Sequence, residues 1–524
     1  MDRRRRRLLL ERRSGILLHP TSLPGGSWMG DLGSSAHRFV DFLARAGQQI
    51  WQMLPVSPPG RGHSPYDTIS TFAGSPGLIG LDSLVRDGLL RTRELPPNDD
   101  GRTGRSPASE LRADFVRAIP LKREALRLAF DRVRAGSNAL RDSWEEYRER
   151  ERGWLDDFAL FVALSKNQPG RSWTRWDSDL RRRRPDAVES ARHALTDEIA
   201  FQQFLQFLFD RQFGELRRFA RERGVYLVGD VPIYPALESA DVWANAHLFD
   251  LTSRGRPRTL SGVPPDLFSR IGQLWGNPTY LWKRMEEDGY RWWVERLRAS
   301  LRRFDSVRLD HLIGFHHSWC VPASARTARR GRWRPGPGLA IFQAIEHALG
   351  PVPLILEDLG LVTPEVEALR DASGHPGMRV LQFAWDGSLD NPHLPHNYPA
   401  ACVAYTGTHD NTTLQGWYRP TRSRRERGTA RQIRTERERA LRYARSDGRE
   451  FHWDMIRLVF ASRANTVIVP MQDLLGLGES ARMNVPGTPR GNWTWRMRPT
   501  ALAPDLASRL HEMTRTYGRI VARS

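Results

Sequence analysis

The sequence predicts an α/β protein built on a (β/α)8 barrel, and three observations predict it. Eight short apolar runs are spread along 524 residues, helical periodicity fills several of the gaps between them, and three of the runs lead into carboxylates. The runs are Gly15 to Leu18, Ile50 to Leu54, Val225 to Ile233, Ser306 to Asp310, Leu354 to Glu357, Val380 to Ala384, Cys402 to Tyr405 and Thr466 to Pro470. Eight strands with intervening helices close most simply as a TIM barrel, whose active site lies at the C-terminal strand ends.

In chain order, residues 1–13 read as a charged, disordered arm ahead of the first strand. Ala36 to Ala46 has helical spacing with Gly47 as its stop, and a Pro/Gly-rich loop follows the second strand. Between about 80 and 220 the strand signal disappears and helical patterns over 115–134, 139–150, 154–164 and 195–222 replace it. This reads as a largely helical insertion between strands two and three. Trp173 and Trp176 in one of its loops suit a sugar-lining role and a core role equally. Residues 14–79 and 221–524 then form the barrel, with helices at Leu339 to Leu349 and Thr363 to Ala372 and an Arg/Glu-rich helical excursion near 422–450.

Bulk composition narrows the function classes. With 40% hydrophobic and 10% aromatic residues the chain is globular, and its length could hold two to four domains. The net charge of +20 invites a nucleic-acid reading, yet all but three of the 80 basic residues are arginines scattered along the chain. A binding stripe would be local and interleaved with aromatics, so only weak, salt-sensitive attraction to polyanions is expected, not specific recognition. Two cysteines are too few for a disulfide framework or a Cys-based zinc site. The N-terminal apolar stretch, Leu8-Leu9-Leu10, is too short for a signal peptide core, and no run approaches a membrane span. The expectation is a soluble, cytoplasmic protein with no membrane partner. His393 and His396 sit in a Pro-rich loop without intervening ligands, and His316 and His317 would face opposite ways if extended, so no metal is expected. Without a Gly-rich phosphate loop no cofactor is implied either.

The chemistry gathers at the acids. An isolated Arg-x-Asp is more often a structural ion pair than a catalytic site. Arg308-Leu309-Asp310 is not isolated: Glu357-Asp358 and His409-Asp410 end two further apolar runs beside Gly-containing turns. Asp310, next to Arg308, should stay ionised; Glu357, after three aliphatic residues, should have a raised pKa. Of the adjacent pair Glu357 and Asp358, only one can face the site, and Asp358 is expected to play the supporting role.

Arg308-Leu309-Asp310-His311, Glu357-Asp358-Leu359-Gly360 and Gly407-Thr408-His409-Asp410-Asn411 resemble the three acidic motifs of the amylomaltase (4-α-glucanotransferase, disproportionating enzyme) family. Residues 15–24, Ser64-Pro65-Tyr66, 272–278 and 486–493 resemble further motifs of that family in the same order, so the likeness runs from about Ser14 to the end. The resemblance implies retaining transfer of α-1,4-glucan segments between maltodextrins. It makes Asp310 the nucleophile, Glu357 the general acid/base and Asp410 the stabiliser of the distorted sugar. Such chemistry places nucleophile and proton donor roughly 5 Å apart. Tyr66 and Trp275 would be sugar platforms, His409 a hydrogen-bond donor, and Asp230 and Arg308 positioning groups. Two departures stand out: Ile313 where the family carries Arg, and Thr412 where it carries Asp. If these positions face one another, losing both charges is milder than losing one. The alternatives are a retaining α-glucan hydrolase and a non-catalytic glucan- or polyanion-binding protein. Oligomeric state is not legible.

Overall fold

The computed structural model describes residues 8–97, 112–136, 139–265, 270–420, 429–488 and 490–520. Twelve strands occur among them. They are β1 (Arg13–Leu17), β2 (Ile50–Gln52), β3 (Tyr226–Val231), β4 (Thr259–Val263), β5 (Gln273–Pro278), β6 (Ser306–Leu309), β7 (His317–Pro322), β8 (Arg332–Pro335), β9 (Leu354–Leu356), β10 (Gly377–Val380), β11 (Cys402–Tyr405) and β12 (Thr466–Pro470).

Eight of these pair in parallel, in the order β10-β11-β12-β1-β2-β3-β6-β9. A backbone bond of 2.9 Å from Leu356 N–H to the Pro376 carbonyl brings the two ends of this sheet together. The result is a (β/α)8 TIM barrel, with helices such as Ser34–Arg45, Arg291–Arg303, Leu339–Leu349 and Pro364–Ser373 packed around it. Parallel strands covered on both faces need continuous apolar runs. Ile16, Trp51, Val228, Val307, Ile355, Val403 and Ile468 supply them, each essentially inaccessible to solvent.

Between β2 and β3 the chain forms the helices Phe115–Ala135, Ala139–Asn167, Pro185–Ala194 and Thr196–Glu222. Trp173 and Trp176 are 1% and 2% exposed, and Trp176 packs against Phe161 and Trp243. They are core residues, not a sugar-lining pair. Of the arm expected over 1–13, residues 1–7 lie outside the described residues; Leu8 and Leu9 are buried and Arg13 opens β1. Residues 421–428 of the expected excursion also lie outside them, while Ala430–Ala444 is helical.

Two strand expectations need correction. The sixth barrel strand is Gly377–Val380, and Leu381–Phe383 turns as a 3-10 helix beyond it. The expected run, Val380 to Ala384, begins three residues too late, because Arg379 interrupts the apolar pattern within the strand. That arginine is buried and paired with Asp358 at 3.1 Å. A second sheet also escaped the sequence pattern: β5-β4-β7-β8, antiparallel. Its strands mix Gly, Arg and Trp without clean alternation, so periodicity carried no signal. No helix among the described residues is long and apolar enough to cross a membrane.

Candidate active site

Strand register alone assembles the first group. Alternation puts Arg308 and the residue after β6, Asp310, on one face, and the β3–β6 register sets Asp230 directly beside Arg308. The Arg308 guanidinium therefore reaches Asp310 at 2.8 Å and both oxygens of Asp230 at 2.8 and 3.0 Å. Tyr66, in the loop after β2, donates its hydroxyl to Asp230 at 2.7 Å. Its ring stacks on that of His409, with centroids 4.9 Å apart. His409 Nε2 lies 3.4 Å from the Asp410 carboxylate. Six of the eight residues singled out in the sequence thus form one connected chain: Asp310, Arg308, Asp230, Tyr66, His409 and Asp410.

Glu357 enters this site through backbone bonds. It follows β9 and is buried, with Oε2 accepting from His311 N–H at 2.7 Å and Oε1 from Leu359 N–H at 2.8 Å. His311 can donate this way because its φ is +58°, a left-handed conformation that non-glycine residues seldom adopt. Burial pushes the Glu357 carboxyl up to about 8, and the neighbouring Asp310 charge adds to the rise against the pull of Arg308 and the two N–H groups. Asp230 is also shifted upward, chiefly by burial, with Arg308 opposing. Asp358 points the other way: it accepts from Arg370 at 2.8 Å, Arg379 at 3.1 Å and Met378 N–H at 2.6 Å, tying β9 to β10.

Trp275, on β5, meets the edge of the His311 ring at 4.9 Å and is 38% exposed, beside the acids rather than bonded to them. Asp410 is the open end of the arrangement, with its side chain 48% exposed. Residues that sequence reasoning left without a role hold it: Asn484 Nδ2 donates to its carboxylate at 2.6 Å, and Arg482 to its carbonyl at 2.6 Å. Trp493 packs on both Tyr66 and His409, at 5.8 and 5.9 Å, from a backbone with φ of +64°. Asn484 and Trp493 flank or end the 486–493 motif, and the motif itself was the only available signal. Pro489 within it lies outside the described residues.

Ile313 is buried next to Gly360 after β9, whereas the Thr412 carbonyl accepts from Gln382 and its hydroxyl stands against Gly416. The two departures have separate neighbours, three barrel strands apart. His393 and His396 are engaged singly, by Val380 N–H and by the Tyr443 hydroxyl, and His316 Nδ1 meets His317 Nδ1.

A family model described as 4-alpha-glucanotransferase matches residues 18–502. The chain belongs to the 4-alpha-glucanotransferase family. It is 44% identical over 514 residues to the 4-alpha-glucanotransferase of Thermus thermophilus, covering 98% of this chain and 100% of that protein. It is 42% identical over 515 residues to the chloroplastic/amyloplastic 4-alpha-glucanotransferase of Arabidopsis thaliana, covering 97% of this chain and 86% of that one. Among solved structures, amylomaltase from Streptococcus agalactiae in complex with acarbose superposes with a TM-score of 0.90 at 34% identity, covering 97% of this chain and all of that one.

Proposed function

We propose that this member of the 4-alpha-glucanotransferase family transfers α-1,4-glucan segments between maltodextrins by double displacement with retention. The observation that carries the reading is the contrast between two neighbouring carboxyls. Asp310 is ion-paired to Arg308 and a quarter exposed, while Glu357 is buried, which pushes its carboxyl up to about 8. A nucleophile must be ionised and a proton donor must hold its proton at working pH, and these environments separate the two roles.

In this reading the Asp310 carboxylate attacks the anomeric carbon and the glycosidic C–O bond breaks. The leaving 4-oxygen takes the Glu357 proton. An acceptor sugar then binds, Glu357 removes the proton of its 4-hydroxyl, and that oxygen displaces Asp310. Asp410 and His409 contact the sugar hydroxyls, Tyr66 and Trp275 cover its apolar faces, and Asp230 and Arg308 hold the nucleophile. No cofactor enters the atom balance, and a cytoplasmic setting agrees with two buried, free cysteines. Whether sugar or water completes the cycle is a difference of a few kcal/mol in barrier; likeness to proteins named glucanotransferases supports the sugar. Incubation with maltotriose tests it. A ladder of longer maltodextrins plus glucose is expected, whereas small sugars alone would mean hydrolysis and unchanged substrate a binding protein.

A further inference from the structure

Glycine takes a left-handed backbone freely, whereas any other residue there is strained and stays only where its surroundings hold it. His311 takes it, at φ +58°, immediately after Asp310. Glycine would serve that turn better, so the imidazole has a separate reason to be here. Its ring contacts supply one. The ring meets the Trp275 indole edge-on, with centroids 4.9 Å apart and planes at 84°. Gly314 leaves room for it, since a Cβ on Gly314 would lie 2.9 Å from His311 Cδ2.

The backbone of the same residue grips Glu357. His311 N–H donates to Glu357 Oε2 at 2.7 Å, and the next residue, Leu312, donates its N–H to the Glu357 carbonyl at 2.8 Å. One residue thus joins the tryptophan on β5, 38% exposed, to the buried carboxyl that follows β9. The ring brings no charge into this link: burial pushes the imidazole down to about 4, with Asp310 opposing and His317 and Arg308 adding to the fall.

We propose that His311 is a positioning residue through which a sugar seated on Trp275 orients Glu357. This role rests on the double-displacement reading above, and deepens its second step. There the acceptor's 4-hydroxyl must meet the Glu357 carboxyl in a reactive geometry. A sugar covering the exposed tryptophan holds the indole, the indole holds the imidazole, and the imidazole holds the N–H on Oε2. Water entering instead covers no tryptophan and leaves Glu357 without that constraint. Only a ligand that contacts the linked groups can shift their arrangement, so His311 favours sugar over water as the acceptor.

The test uses the full-length protein and maltotriose. Transfer conserves the number of reducing ends and hydrolysis adds one, so their increase per turnover gives the share that ends on water. His311→Gly keeps the turn and its N–H and removes only the ring; the water share should rise about fivefold. Trp275→Ala should raise it too, and the double variant should do no more than Trp275→Ala, because without the indole the ring has nothing to transmit. The N–H on Oε2 favours the ionised carboxyl, so a loosened bond should move the alkaline limb of kcat/KM to higher pH in both single variants. Arg308 and Asp310, the charged groups that act on Glu357, are unchanged in either. His311→Asn is the second variant if His311→Gly does not fold, since asparagine tolerates the left-handed region. A ring that merely supports the fold would lower Tm and leave both readouts as they were. An unchanged water share, an unmoved limb or additive effects in the double variant would each overturn the link alone. A wild type that leaves maltotriose unchanged would overturn the double-displacement reading, and the link with it.

Discussion

The barrel rim has two unlike halves. Around the ends of β3, β6 and β9, the acids Asp230, Asp310 and Glu357 share one buried arginine and two backbone N–H groups. Beyond β11, Asp410 is half exposed and is held by Asn484 and Arg482 from the chain that follows β12. In the first half, strand register sets the geometry and low dielectric makes each charge strongly felt by its neighbours. In the second, geometry depends on a loop staying closed. The first half should therefore respond to substitution in charge and pH, the second in placement.

The largest expected effect lies in the dry half. Asp310→Asn removes the nucleophile but keeps the shape, so disproportionation of maltotriose should fall at least a thousandfold, about 4 kcal/mol of transition-state stabilisation, with glucan binding retained. Activity within tenfold of wild type would take Asp310 out of the mechanism.

Next comes stability rather than rate. Asp358 adjoins Glu357 in sequence but is 4% exposed and committed to two arginines and a backbone N–H. Asp358→Asn leaves those arginines short of a counter-charge and should lower unfolding stability by about 3 kcal/mol, read by urea denaturation. Activity per folded molecule at low temperature should stay close to wild type. A catalytic loss without a stability loss would reverse the assignment of the two neighbours.

The pH profile separates the halves further. Because the folded-state pKa of Glu357 is raised to about 8, the proton donor is present below that value and is lost as pH rises through it. kcat/KM should then fall about tenfold per unit above that pH, and the limb should vanish in Glu357→Gln. The same shift makes the stability contributed by this group decline as pH climbs from its unfolded value toward about 8, since the native state holds the proton longer. In the open half, Asn484→Ala frees the Asp410 carboxylate from one bond and should lower kcat about tenfold, near 1.4 kcal/mol, without a change in that limb. A shifted limb would mean that the halves are electrically coupled after all.

The dry half was largely legible in the sequence, because period-2 alternation and strand ends are local features. Arg308, Asp310 and Glu357 needed only their own strands to be placed. Trp173 and Trp176 were undecided because a loop tryptophan carries no local mark of burial; their partners, such as Trp243, come from far along the chain. The start of β10 was missed for a related reason: Arg379 breaks the apolar run, and its buried partner Asp358 lies on another strand end. Asn484 and Trp493 could not be given roles, since what they touch is set by how the chain after β12 folds back over β11. The left-handed turn at His311 had no signature either, because histidine seldom adopts it.

The smallest expected effect concerns the two departures from the family pattern. Compensation requires Ile313 and Thr412 to face one another. Ile313 instead belongs to the dry half, buried against Gly360 beyond β9, and Thr412 to the open half, against Gly416 and Gln382. Two barrel strands, β9 and β10, lie between their parent strands, β6 and β11. Substitutions with no shared partners add to within about 0.5 kcal/mol. Ile313→Arg should therefore lower activity and stability alone, by putting a charge where a buried apolar side chain now packs. Thr412→Asp should have its own separate effect, and the double variant should show their sum. A double-mutant cycle on the disproportionation rate measures this. Coupling well above that margin would mean the long arginine reaches across the rim, and the division into two independent halves would have to be redrawn around that contact.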